Sequence, residues 1–490
     1  MTIKFNPFFR DELTIHEIQR SMENAVITSK ELVMYYLHQI AKYDQAGPRL
    51  NSILEINPDA LFIAESLDYE RKATGARGPL HGIPIFLKDN IETDDFLHTS
   101  AGTMALSSHL AKEDAFLVQR LRDAGAVILG KSNMTELSNG MATEMWAGYS
   151  SRGGQVVNPY GPEWFVGGSS SGSAVAVAAN FTVGSIGTET DASILSPAIQ
   201  NSVVGIKPTV GLISRRGIIP FTYSQDTAGP IARTVTDAAL LLEVLAGVDQ
   251  LDPATHKYSY ISPQNYSSYL DRNGLKGARI GIFTDASKEF YKSDEYDDHL
   301  FQQVIRTLKG EGATIVGDVD IPSFHREWSW EVTLYELKHS LDNYLSKLSP
   351  QLPVHSVSEL IEYNKSNAEE GTLKYGQDKL EQRAKISDTL RNPNYINARL
   401  EDLYFSQEQG IDYALKQNHL DVILFPSYVG STLCAKAGYP SIAVPAGYKK
   451  DGRPFGITFA GAAFSEATLI KLAYAFEQAT TFRKPPKLRG

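Results

Sequence analysis

The sequence predicts an α/β fold: a single large α/β/α domain over residues 1–490, its central mixed, mostly parallel β-sheet covered by helices. Three observations carry this. Short apolar runs bounded by Gly, Pro or Asn recur along the chain, as buried strands do. Between them lie stretches with helical spacing and recognisable N-caps. The composition, 42% hydrophobic and 21% charged, is that of a chain that folds around a core.

The elements follow in order. Thr14-Ile15-His16-Glu17 and Thr28-Ser29-Lys30-Glu31 read as capping boxes, with Thr accepting from the third amide and Glu reaching back. Leu32, Tyr35, Tyr36 and Ile40 then recur at helical spacing. Ile83 to Leu87 is an apolar strand that ends at Lys88-Asp89-Asn90. A helix from Leu117 to Ala124 leads into a second buried strand, Ala126 to Leu129. The run Gly167 to Ser173 is all Gly and Ser, but apolar sequence on both sides makes it a buried turn with close backbone approach, not a linker. A small-residue helix, Ala174 to Asn180, follows, and then a second turn, Gly187 to Ser193. Thr234 caps a strongly apolar helix through Leu245, stopped at Gly247. Ala278 to Phe283 starts a strand, with a charged, Tyr-rich helical region at about 285–415 after it. Within that region Asp294-Glu295-Tyr296-Asp297-Asp298 reads as a solvated helix start. Val422 to Pro426 and Ser441 to Pro445 are late strands, and an apolar helix from Glu466 to Ala479 closes the chain.

Composition excludes several classes of function. A net charge of −10 disfavours a nucleic-acid binder, which needs a basic surface. One cysteine, Cys434, allows neither a disulfide framework nor a Cys-based zinc site, and fits a cytoplasmic protein. No apolar stretch reaches the ~18–20 residues of a membrane span, and the opening residues Met1 to Pro7 lack the apolar core of a signal peptide. The eleven histidines are scattered without metal-ligand spacing, so a metal site is not expected.

Two short patterns fail on physical grounds. Gly125 to Ser132 matches a phosphate-loop pattern, but its four inner positions are apolar and belong to a strand, whereas such a loop needs small residues around the phosphates. Gly168-Ser169-Ser170-Ser171-Gly172 matches a nucleophile elbow centred on Ser170, but no strand precedes it.

A longer constellation remains. Lys88 ends an apolar strand, Ser169 sits in the first Gly/Ser turn, and Ser193 sits in the second. Gly167 to Ala174 together with Gly187 to Ile194 resembles the amidase signature. So do Gly82 to Asn90, Gly130 to Glu136, Asp226-Thr227-Ala228-Gly229-Pro230 and Gly438-Tyr439-Pro440. The resemblance covers roughly residues 10–247 and 420–480, with 60–247 as its core; the segment 285–415 matches poorly and is expected to form the substrate side.

The resemblance implies a Ser–cis-Ser–Lys triad: Ser193 as nucleophile, Ser169 as bridging serine after a cis peptide bond, and Lys88 as base. The residue types suit the chemistry. A serine hydroxyl needs a base, and a lysine can serve only if its pKa falls toward the working pH, about 3–4 kcal/mol of differential interaction. Burial at the end of an apolar strand provides that, provided Asp89 points to the opposite face. The oxyanion hole implied is the backbone of Thr190, Asp191, Ala192 and Ser193. Many members have Gly where this chain has Ala192, and a methyl there restricts the backbone. Ser170 and Ser171 are expected to orient the turns.

The activity implied is hydrolysis of a linear carboxamide through an acyl-enzyme, without a cofactor. Thr188-Glu189-Thr190-Asp191 resembles the peptide-amidase branch, and related enzymes also cleave aryl amides, esters and carbamates. Two alternatives stand beside it: the glutaminase subunit of the amidotransferase that makes glutaminyl-tRNA, which needs a partner and an ammonia channel, and an inactive scaffold. The aromatics of the middle region, Trp328, Trp330, Tyr335, Tyr395 and Tyr404, are candidates for setting selectivity.

Overall fold

A computed structural model describes residues 5–260, 265–283, 296–386 and 390–488. Its centre is an 11-stranded sheet. In chain order the strands are β1 (Ile53–Ile56), β2 (Pro84–Lys88), β3 (Val127–Ser132), β4 (Gly184–Glu189), β5 (Val204–Lys207) and β6 (Thr227–Ala232). They continue with β7 (Arg279–Ile282), β8 (Thr314–Val316), β9 (Val422–Pro426), β10 (Ser441–Tyr448) and β11 (Pro454–Ala460). Across the sheet the order is β1-β3-β2-β4-β6-β5-β10-β11-β9-β7-β8.

The α/β class and the covered mixed sheet are as expected, but the "mostly parallel" part of the expectation is corrected. Four neighbouring pairs are parallel, β2/β3, β2/β4, β7/β9 and β7/β8. The other six are antiparallel. Helical crossovers do produce the parallel pairs, as such pairs require long connections. In the centre, however, β4 and β5 are split by β6, which enters antiparallel to both. Gly229 permits this insertion: a Cβ there would lie 2.0 Å from the Ile206 carbonyl oxygen. β10 and β11 are joined only by a tight turn in which Gly452 has φ +97°, and such a hairpin can pair only antiparallel.

Both faces of the sheet are covered, and the strand period of two shows it. Ile231 and Ala443 pack with the helices Ser171–Ala178 and Leu195–Gln200. Their neighbours Ala232, Ile442 and Val444 join the larger core, with the helices Val235–Leu245 and Glu466–Thr480. Both capping boxes form, Thr14 with Glu17 and Thr28 with Glu31. Asp297 caps the helix Asp298–Gly310, while Asp294 and Glu295 of the same charged run lie outside the described residues, as do Met1 to Lys4. No helix among the described residues is long and apolar enough to cross a membrane.

One local expectation changes in a way that matters for the site. The second Gly/Thr segment is not all turn: β4 runs through Gly187 and Thr188 to Glu189. Gly187 makes this possible, because a Cβ there would meet Ser170 Oγ at 2.8 Å. The strand therefore lies flush against the first Gly/Ser turn, and the true second turn is Thr190 to Ser193.

Candidate active site

The site is assembled where β2 and β4, parallel neighbours, end side by side. Ile85, Phe86 and Leu87 are fully buried and carry Lys88, the next residue, into the interior. Its Nζ lies 2.7 Å from Ser169 Oγ, 2.9 Å from Thr188 Oγ1 and 3.0 Å from the Thr188 carbonyl oxygen. Burial lowers the Lys88 pKa to about 7, against smaller opposing effects of Asp226 and Glu189. The adjacent Asp89 turns away, as strand alternation demands: its carboxylate accepts from Arg152 Nη1 at 3.0 Å, from the Gly102 amide at 2.9 Å and from Ser100 Oγ. No carboxylate among the described residues is bonded to Lys88.

The three partners suit a neutral amine. Two N–H bonds can go to the Thr188 carbonyl and hydroxyl oxygens, leaving the nitrogen lone pair for the Ser169 O–H. Asn90 Nδ2 donates to the same Thr188 Oγ1 at 3.0 Å and fixes the residue that fixes the lysine. Sequence reading missed Thr188 and Asn90. Their signal was positional: Thr188 lies two residues after Ile186 on one strand face, and Asn90 lies two after Lys88.

The Gly168–Ser169 peptide bond is cis. Ser170, the residue of the failed elbow pattern, is committed to structure: its Oγ donates to the Thr188 carbonyl at 3.0 Å and accepts from the Thr188 amide at 3.2 Å. Ser171 Oγ donates to the Gly167 carbonyl at 2.6 Å. Both tie the turn in place. The phosphate-loop pattern is strand β3, with Lys131 buried and bonded to Thr99 Oγ1 at 2.8 Å.

Ser193 lies at the other end of the turn, 9% exposed, its carbonyl accepting from the Ser170 amide at 3.1 Å. Glu189 holds the turn closed from within, accepting from the amides of Ile194 at 2.6 Å and Leu195 at 3.0 Å. Asp226 anchors its start, accepting from Thr190 Oγ1 at 2.6 Å and from the Phe221 and Thr222 amides. The amides of Asp191, Ala192 and Ser193 have no acceptor among the described residues. Donors without an acceptor beside a cavity can serve an oxyanion.

Ala192 holds φ +59°, at the position where many chains with this signature carry Gly. A methyl in the left-handed region costs about 1–2 kcal/mol. Ala192→Gly should therefore leave the melting temperature near wild type, since that relief offsets the extra chain entropy of Gly, about 0.4–1 kcal/mol. Ala192→Val should lower it clearly, through a stability loss of about 1–3 kcal/mol, because β-branching at positive φ is a genuine outlier. Thermal denaturation of the two variants checks this.

Ser169 and Ser193 open onto one cavity of about 690 Å³. Its outer wall comes from the middle region: Trp330 and Leu334 from the start of the helix Glu331–Leu345, and Lys379 and Arg383 from the helix Asp378–Ala384. A second cavity of about 850 Å³ is lined by Asn90 and Thr188 and shares Ser138, Thr190 and Phe221 with the first. Of the five aromatics singled out in the sequence, Trp330 lines the first cavity. Tyr395 instead bonds Glu336 at 2.8 Å, and Trp328 packs in a core cluster with Phe425 and Leu433.

The Amidase family model matches residues 31–470, including the helical middle. The chain belongs to the amidase family. It is thus a hydrolase of amide C–N bonds. This amidase is 42% identical over 490 residues to a probable amidase of Arabidopsis thaliana, covering 98% of this chain and 92% of that one. The structure of native peptide amidase from Stenotrophomonas maltophilia superposes with a TM-score of 0.92 at 41% identity, covering 99% of this chain and all of the other. A glutamyl-tRNA(Gln) amidotransferase subunit from Halorhodospira halophila is more distant, 32% identical over 504 residues, covering 96% and 98%.

Proposed function

We propose that this amidase cleaves a linear carboxamide, a C-terminal peptide amide or a related aryl amide, ester or carbamate, through an acyl-enzyme on Ser193. Lys88 is the base, Ser169 relays the proton, and the amides of Thr190 to Ser193 hold the oxyanion. Residues 1–490 act as one amidase unit, with 285–415 forming its substrate side. The observation that carries this reading is the buried Lys88 amine, 2.7 Å from Ser169 Oγ and bonded to no carboxylate among the described residues.

The steps follow from these roles, and the Lys88–Ser169 bond is the contact that supports them. Neutral Lys88 takes the Ser169 proton while Ser169 takes that of Ser193, and Ser193 Oγ attacks the amide carbon. Negative charge develops on the carbonyl oxygen, where free backbone amides stabilise it without reorganisation. The proton returns through Ser169 to the leaving nitrogen, which must be protonated to depart. Water then repeats the sequence on the ester, with the same base.

The peptide-amide preference draws on the likeness to the Stenotrophomonas maltophilia peptide amidase; a further structure similar to this chain is a peptide amidase in complex with the competitive inhibitor chymostatin. Turnover on matched peptide amides, anilides, esters and carbamates tests it, read by ammonia or amine release. Peptide amides should yield ammonia, with turnover unchanged by chelators. Activity confined to esters would contradict the proposal.

A further inference from the structure

Arg383 is 8% exposed and lines the cavity that holds Ser193. Its Nη1 donates to the Gly140 carbonyl at 2.8 Å, while its Nε has no partner. The guanidinium carbon stands 5.7 Å from the centroid of Phe221, another cavity residue. Lys379, one turn earlier on the same helix, lines the same wall. Among the described residues neither cation has a carboxylate within ion-pair distance.

The acids nearby do not compensate. Asp378 is engaged with the Thr143 amide at 2.9 Å and its hydroxyl at 2.5 Å. Asp191, in the same cavity, accepts from Thr432 Oγ1 at 2.8 Å, and Glu331 pairs with neither cation. Burial lowers the Arg383 pKa to about 10, with only Asp378 opposing, and Lys379 is lowered by burial and then by Arg383, against smaller opposing effects of Asp378 and Glu144. Two cations sharing a desolvated wall are costly unless an anion arrives to pair with them.

We propose that the amide substrate carries a carboxylate that docks on Arg383, with Lys379 as the second charge, so that this amidase prefers acidic amides. The guanidinium commits Nη1 to the Gly140 carbonyl, and its planar fork of five N–H donors suits a carboxylate. The inference rests on the cavity being the substrate site proposed above.

The test compares ω-amido acids of increasing chain length with alkyl amides of the same length. Binding is measured on the Ser193→Ala enzyme by tryptophan fluorescence, since Trp330 lines the cavity. Hydrogen bonds to a charged group contribute about 1.5–3 kcal/mol, so at one chain length the acid should bind at least roughly tenfold tighter. Arg383→Met should close that gap and Lys379→Met should narrow it. Arg383→Lys and Lys379→Met carry the test if Arg383→Met fails to fold for want of its bond to Gly140. Equal binding of acids and alkyl amides at every length overturns the inference, as does a gap that survives both charge-removing variants. Failure of the acyl-enzyme reading would register separately, as wild-type enzyme that never acylates at Ser193 while the binding comparison still stands.

Discussion

Lys88→Met should lower kcat/KM for amide hydrolysis by about 10²–10⁴-fold, the contribution of a positioned general base, while leaving the protein folded. Met matches the length of the lysine stem but cannot accept the Ser169 proton. Lys88→Arg should be as inactive, because a guanidinium stays protonated at any usable pH. The pH dependence follows in sign from the pKa near 7. Below it Lys88 is an ammonium and cannot take a proton, so kcat/KM falls about tenfold per pH unit. Above it the amine is neutral and the rate reaches a plateau. Esters should lose less than amides in Lys88→Met, since an alkoxide leaves without the proton an amine requires. Were Lys88 only a packing residue bonded to Ser169 and Thr188, Met would cost stability and spare turnover. Amide and ester rates of the folded variants against pH distinguish the two.

Ser193→Ala should abolish turnover, by about 10⁵–10⁶-fold as expected for loss of a covalent nucleophile. Ser170→Ala is the informative control. Its hydroxyl bonds both the amide and the carbonyl of Thr188, so removing it leaves the buried Thr188 amide unsatisfied at about 1–3 kcal/mol, while the carbonyl keeps its bond from Lys88. The folded Ser170→Ala enzyme should keep turnover within about tenfold of wild type, the range of one positioning bond. Steady-state rates with a thermal melt on each variant separate lost chemistry from lost stability.

The parts legible in the sequence were those with a local cause. Thr14, Thr28 and Thr234 announced their helices because capping acts over three residues. The apolar runs at β2, β3, β9 and β10 announced buried strands. Strand pairing was not legible, because the insertion of β6 between β4 and β5 depends on the fit of Gly229 against Ile206, residues far apart in sequence. The end of β4 reads as a turn in the sequence because Gly187 and Thr188 open a Gly- and Thr-rich run; only the packing against Ser170 shows why the strand needs Gly187. At the site, Lys88, Ser169 and Ser193 are candidates from the long signature, and the structure brings Lys88 to Ser169 and places both serines on one cavity. Thr188, Asn90 and Arg383 are not among the candidates, since each takes its place through a partner distant in the chain.

The proposed mechanism stands or falls on which hydroxyl becomes acylated. Wild-type enzyme treated with a fluorophosphonate at a pH above 7 and digested for mass spectrometry should carry one adduct, on Ser193, and Lys88→Met should acquire it far more slowly. An adduct on Ser170, or labelling of Ser193 that is as fast without Lys88 as with it, would contradict the mechanism.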